Sequence, residues 1–267
     1  MSDFLQQMAT LSAERAAAAA GIRPGDLDKP VLPLRTGAFD VIAEIKGHSP
    51  AEGALALADE DRCERARQYA LGGAAAISVL TEPSCFAGDL EHVEEVVATV
   101  PNTPVMRKDF LVDTVQILEA RAAGASGVLL IATMLSDEKL RSMLDCAREH
   151  RLFVLLESFD KDDLLRSVAL LNSDDQDRMN DGQLLFGVNT RNLRTLAVDP
   201  DRLQALAPFL PAGRCVAESG LYTADDATRV AGLGYSMALV GTALMRSDEP
   251  AAVIAALRNA GAEAIAV

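Results

Sequence analysis

Apolar and polar positions fall in two alternating kinds of block along the chain. Short β-branched or leucine-rich runs bounded by turn residues recur, centred near Ile42, Ile77, Val105, Leu129, Val154, Phe186, Val216 and Leu239. Unbroken apolar runs of this length read as strands buried on both faces. Between them lie segments of helical period, over 61–71, 90–98, 114–123, 136–148, 160–170, 203–208, 224–230 and 250–258. Strands that alternate with helices must pair in parallel, with the helices covering the sheet. Eight such units in 267 residues fit a closed (β/α)8 TIM barrel, typically about 250 residues, better than an open doubly wound sheet. No G-x-G-x-x-G follows a strand, which weakens the open dinucleotide-binding alternative further.

Two stretches stand outside the repeat. Residues 2–20 carry Phe4, Leu5, Met8 and Leu11 before an alanine-rich run and read as a helix ending at Gly21. Pro24, Gly25, Pro30 and Pro33 make the link that follows irregular, so 1–37 is an N-terminal helical extension and 38–267 the barrel. Residues 172–183 (NSDDQDRMNDGQ) are polar, acidic and turn-rich. They read as a solvated loop on the barrel's stability face.

Charge narrows the partners. Lys and Arg number 25 against 39 Asp and Glu, a formal charge of −14, which argues against a nucleic-acid or anionic-membrane partner. An anionic ligand must therefore meet a local basic pocket. Cys63, Cys85, Cys146 and Cys215 show no C-x-x-C, and His48, His92 and His150 show no ligand spacing, so neither a disulfide framework nor a metal site is expected. The first residues, with Asp3 and Glu14, lack the basic and apolar regions of a secretory leader, and no apolar run approaches the roughly 20 residues of a membrane span. A reducing cytoplasm is the expected setting.

Barrel enzymes build their sites at the carboxyl ends of the strands, and six of the eight ends here are polar. The first run ends in Glu44 and Lys46, which lie two residues apart and so face the same way. The third runs into Arg107-Lys108-Asp109-Phe110, the fifth ends in Glu157, and the sixth in Asn189-Thr190-Arg191-Asn192. The seventh ends in Glu218-Ser219-Gly220 and the eighth in Gly241-Thr242. Such convergence exceeds what structural ion pairing supplies. Gly220, Gly241 and Thr242 sit at turns whose backbone N–H groups suit a phosphate, Lys46 can add charge there, and Arg191 offers a planar fork for a carboxylate. Crowding by Lys46 and Arg107 is expected to lower the Lys108 pKa, and an apolar mouth to raise that of Glu157. Two roles fit Lys108, proton donor and Schiff-base amine. Phe86 and Phe110 lie where an aromatic substrate could stack.

These blocks resemble one family. Ala43-Glu44-Ile45-Lys46 with Ser49-Pro50 and Gly53, Ile77-Ser78-Val79-Leu80-Thr81-Glu82, Arg107-Lys108-Asp109-Phe110, Gly187-Val188-Asn189-Thr190-Arg191-Asn192-Leu193 and Ala217-Glu218-Ser219-Gly220 are similar to the motifs of indole-3-glycerol-phosphate synthase, in the family's order. The resemblance covers about residues 40–247. It implies a cofactor-free, metal-free barrel lyase, a monomer or weak homodimer. Its reaction converts 1-(2-carboxyphenylamino)-1-deoxyribulose 5-phosphate into indole-3-glycerol phosphate, carbon dioxide and water in tryptophan biosynthesis. By that resemblance Lys108 is the general acid of ring closure, and Glu157 and Glu44 handle proton transfers. Lys46 lies near the phosphate and the leaving hydroxyl. Asn189, Glu218 and Ser219 orient sugar hydroxyls, Arg191 meets the anthranilate carboxylate, and Ser49, Phe86, Phe110, Gly220, Gly241 and Thr242 complete the binding set. The chain departs from the pattern at Gly47-His48, Ala51-Glu52 and Thr114-Val115. The first two changes remove positive charge beside the mouth, which is expected to weaken substrate capture.

Overall fold

The apolar runs form eight strands: β1 (Asp40–Ile45), β2 (Ala76–Leu80), β3 (Val105–Lys108), β4 (Gly127–Ile131), β5 (Phe153–Ser158), β6 (Leu184–Asn189), β7 (Arg214–Glu218) and β8 (Met237–Val240). In the computed structural model, which describes residues 3–19, 21–49, 53–54, 62–191 and 197–266, each strand pairs in parallel with its sequence neighbours. β8 closes on β1, so the sheet is a complete barrel without edges. Every strand is buried almost throughout, which is why none shows the in–out alternation of a half-solvated sheet.

The helices cover the barrel much as the 3.6 period predicts, with ends displaced by a residue or so in most cases. Two differ further. The eighth-unit helix runs Pro250–Ile265, because good helix formers continue past Arg258 and Gly261 lets the turn sit against the Phe39 ring. In the 203–208 segment the α-helix stops at Leu206 and tightens to a 3-10 turn over Ala207–Phe209. Pro208 has no N–H to continue the ladder.

The 172–183 stretch is not a solvated loop. Ser173–Asn180 is a helix opened by a reciprocal cap, in which the Asn172 side chain accepts from the Asp175 N–H and Asp175 accepts from that of Asn172. Asp175 is fully buried against the guanidinium of Arg141. With so few apolar residues the segment has no hydrophobic period. Its cap, the ion pairs Arg141–Asp175 and Arg148–Asp174 and the buried Met179 hold it instead.

The N-terminal helix α1 (Asp3–Ala18) docks across the carboxyl ends of the strands. Leu5 and Met8 are buried, Gln116 donates to Ser12 Oγ at 2.8 Å, and Arg15 pairs with Asp109 at 2.7 Å. Cys85, Cys146 and Cys215 are free thiols. Among the described residues no helix is long and apolar enough to cross a membrane, and no group of three or more His, Cys, Asp or Glu could hold a metal ion.

Candidate active site

The carboxyl ends of the strands open into a cavity. Its wall carries Glu44, Lys46, Lys108, Glu157, Asn189, Arg191, Glu218 and Ser219, together with Phe86, Phe110, Gly220, Gly241 and Thr242. Ser49 pairs through its backbone with Gly53 in a short hairpin beside the mouth, while Pro50, Ala51, Glu52, Asn192 and Leu193 lie outside the described residues.

Glu44 is the hub. Alternation along β1 points it and Lys46 the same way, and Lys46 Nζ reaches Glu44 Oε1 at 2.8 Å. From β3, Lys108 Nζ reaches the other oxygen at 3.2 Å. Burial alone would raise the Glu44 pKa, but the charges of Lys108 and Lys46 outweigh it and hold the carboxylate at about 2. Gly241 makes this geometry possible, because a Cβ there would collide with Glu44 Oε1 and come within 3.0 Å of Lys46 Nζ.

The expected lowering of Lys108 is overturned. Its direct partner is the Glu44 carboxylate, which stands between it and Lys46. Burial would depress the ammonium, and Glu44, then Glu157 and Glu218, more than reverse that and raise its pKa. Arg107 does not crowd it. Successive residues face opposite sides of a strand, so the Arg107 guanidinium turns out of the barrel to the Gln116 carbonyl at 2.9 Å, Glu119 at 3.0 Å and Asp109 at 3.2 Å. The carboxyl that burial and a neighbouring carboxylate push up is that of Glu218.

Across the barrel, Asn189 Oδ1 accepts from Ser219 Oγ and from the Arg191 N–H, both at 2.9 Å. Ser219 and Gly220 are consecutive left-handed residues, with φ of 69° and 73°. Glycine adopts this readily, while serine there is held by its bond to Asn189. On the opposite wall Glu82 caps the short turn Pro83–Phe86 through the Ser84 and Cys85 N–H groups, and His48 Nδ1 donates to the Cys85 carbonyl at 2.8 Å. Phe86 then lies 6.2 Å from Phe110.

The cavity also contains a residue that the sequence did not assign to it. Phe4 of α1 stands edge-to-face on Phe110, with ring centroids 5.8 Å apart, and closes the apolar end of the cavity. The signal was present in the amphipathic run of Phe4, Leu5, Met8 and Leu11. What it packs against is a long-range matter.

A closed parallel barrel with acid–base side chains and glycine turns at its carboxyl mouth defines a (β/α)8 enzyme. The fold is similar to 3-hexulose-6-phosphate synthase from Salmonella typhimurium, with a TM-score of 0.60 at 14% identity over 85% of this chain and 99% of that one. It is also similar to thiamine phosphate pyrophosphorylase from Pyrococcus furiosus, with a TM-score of 0.58 at 15% identity over 85% of this chain and 97% of that one. Sequence comparison is more specific. A family profile described as "Indole-3-glycerol phosphate synthase" matches residues 29–257, and the chain belongs to that family. It is 46% identical over 229 residues to the indole-3-glycerol phosphate synthase of Nocardioides sp. (strain ATCC BAA-499 / JS614), spanning 84% of this chain and 83% of that protein. It is 39% identical over 261 residues to that of Mycobacterium avium (strain 104), spanning 97% and 91%.

Proposed function

We propose that the barrel performs the family's reaction with Lys108 as the acid of ring closure. The activity is indole-3-glycerol phosphate synthase, a decarboxylating carbon–carbon lyase of tryptophan biosynthesis. Its substrate is 1-(2-carboxyphenylamino)-1-deoxyribulose 5-phosphate. The observation that carries the assignment of roles is the Lys46–Glu44–Lys108 bridge, at 2.8 and 3.2 Å. Held among carboxylates, Lys108 stays an ammonium, which favours the proton-donor role over the Schiff-base amine, since only a neutral amine attacks a carbonyl.

The anthranilate ring lies against Phe4, Phe86 and Phe110, with its carboxylate toward Arg191. Lys108 gives a proton to the ketone oxygen as the ring carbon attacks, and loss of carbon dioxide restores the aromatic ring. Lys46 protonates the departing hydroxyl while Glu157 takes the proton released in dehydration. Glu44 keeps both ammoniums charged and in place. Asn189, Glu218 and Ser219 orient the sugar hydroxyls. Gly220, Gly241 and Thr242, with Ser49 beside them, receive the phosphate. No cofactor or metal enters this reading. The acidic chain takes no nucleic-acid or membrane partner, works in the cytoplasm, and is a monomer or weak homodimer.

The test is turnover of this substrate followed by indole fluorescence, beside Lys108→Ala. Signal in the wild type with near loss in the variant supports the assignment. A folded wild type without signal rejects it.

A further inference from the structure

We propose that Glu157 and Glu218 hold one proton between them across Gly187, and that this proton recharges Lys108 after it has protonated the substrate. The inference rests on the roles proposed above for Lys108 and Glu157. It assigns Glu218 a part in proton transfer rather than in sugar binding alone.

The geometry begins with a missing side chain. Glu157 on β5 and Glu218 on β7 are separated by β6, where Glu157 is in register with Gly187 and Glu218 with Asn189. A Cβ at position 187 would collide with Glu218 Oε1 and stand 3.2 Å from its Cδ. Glu218 therefore lies over the glycine, toward Glu157, and any larger residue in the middle strand would keep the two carboxyls apart.

The polar bookkeeping leads to the same place. Glu157 and Glu218 are 2% and 1% exposed. Glu157 Oε2 and both oxygens of Glu218 find no donor among the described residues. Glu218 Oε1 fills the space over Gly187, the residue paired with Glu157, so the two carboxyls approach each other there. Two carboxylates offer only acceptors, so they can bond only when one carries a proton. Leaving both ionised and unpaired out of water would be costly.

The charges facing the pair agree. From β1 come Glu44 and, bonded to it, Lys46; from β3 comes Lys108, whose ammonium bonds Glu44. On β6, Asn189 Oδ1 is engaged by Ser219 and Arg191. Asp109, also at the mouth, is taken by Arg15 and Arg107. Three carboxyls, Glu44, Glu157 and Glu218, thus stand around two ammoniums, Lys46 and Lys108, both of which are bonded to Glu44, and Arg191 lines the same cavity. Burial, followed by the charge of Glu157, favours the neutral form of Glu218.

The proton count closes. Lys108 gives its proton to the ketone oxygen and becomes a neutral amine. The shared proton passes to Lys108, leaving both carboxylates ionised, and they then accept the proton lost from carbon in dehydration. Lys46 gives its proton to the hydroxyl that leaves as water, and solvent restores Lys46. The pair ends as it began.

Difference infrared spectroscopy in H2O and D2O at pH 7.5 tests this on the intact protein. A protonated-carboxyl stretching band is expected in the wild type and in Lys108→Ala, and is expected to vanish in Glu218→Gln and Glu157→Gln. Both glutamines are near-isosteric, and circular dichroism checks that each variant is folded. The alkaline limb of the wild-type pH–rate profile should also be lost in Glu218→Gln, which a purely structural role would not change. A wild type that turns over without the band, or a band that survives both substitutions, overturns the shared proton. A band without turnover overturns only the assigned reaction.

Discussion

Arg15 of the N-terminal helix reaches Asp109 of the barrel, Nη2 to Oδ1, at 2.7 Å. Asp109 directly follows Lys108 and accepts from the Phe110 N–H at 2.8 Å and from Thr81 Oγ1 at 2.9 Å. Arg15 also stands 3.8 Å from Glu82, the residue that caps the turn bearing Phe86. One guanidinium on α1 thus ties together the two segments that carry the aromatic wall.

Arg15→Ala should therefore act on binding more than on folding. Asp109 keeps Arg107, Thr81 and a backbone donor, so the stability cost is about 1 kcal/mol. Phe4 loses its fixed position over Phe110. We expect KM to rise several-fold with kcat changing less, measured by indole fluorescence, and faster proteolysis between α1 and β1. An unchanged KM would show that α1 is held without Arg15.

The acid side of the stability curve should belong to Glu44. Its pKa falls from an ordinary 4.5 to about 2 on folding. A depressed carboxyl contributes stability that is full above the unfolded value and is lost as pH drops from 4.5 through 2. The linkage is on the order of 3 kcal/mol. Thermal melts of wild type and Glu44→Gln across pH 7 to 3 should converge in acid as the wild type loses this term. Parallel curves would sink the assignment.

Gly241→Ala separates two reasons for a glycine at the end of β8. Its φ is −118°, so no backbone strain demands glycine, and the added methyl meets Glu44 and Lys46 instead. If making room for that pair is its purpose, kcat should fall tenfold or more. A rise in KM alone would assign it to phosphate binding only.

How much of this was legible beforehand depended on the range of the information needed. The barrel, and the same-side placement of Glu44 and Lys46, follow from local periods of 3.6 and 2 and could be read directly. Which charges surround Lys108 depends on the strands that close the barrel opposite it. Neighbours in sequence, Arg107 above all, were therefore misleading. Phe4 was visible as part of an apolar stripe but not as part of the site. Gly187 and Gly241 read as turn or strand glycines, and only the packed barrel shows which carboxylates occupy the space they leave.

Asp175 is the sharpest test of the segment whose pattern misled. Its side chain is fully buried, faces Arg141, and caps the helix Ser173–Asn180 through the Asn172 N–H. Arg141 keeps Asp145 at 3.0 Å, so Asp175→Ala leaves it partly paired, though the cap and the buried bond are both lost. Caps contribute about 1 kcal/mol, and breaking a buried pair costs about 3 kcal/mol or more when the partner is stranded. Partial rescue by Asp145 places the expected loss near 2–3 kcal/mol, a fall in Tm of roughly 4–12 °C for a chain of this size. Because the helix lies between β5 and β6 on the face away from the mouth, kcat/KM of the folded fraction at 25 °C should stay within about twofold. A Tm unchanged from wild type would return residues 172–183 to the solvated loop that their composition describes, and a large loss of kcat/KM would connect this helix to the site.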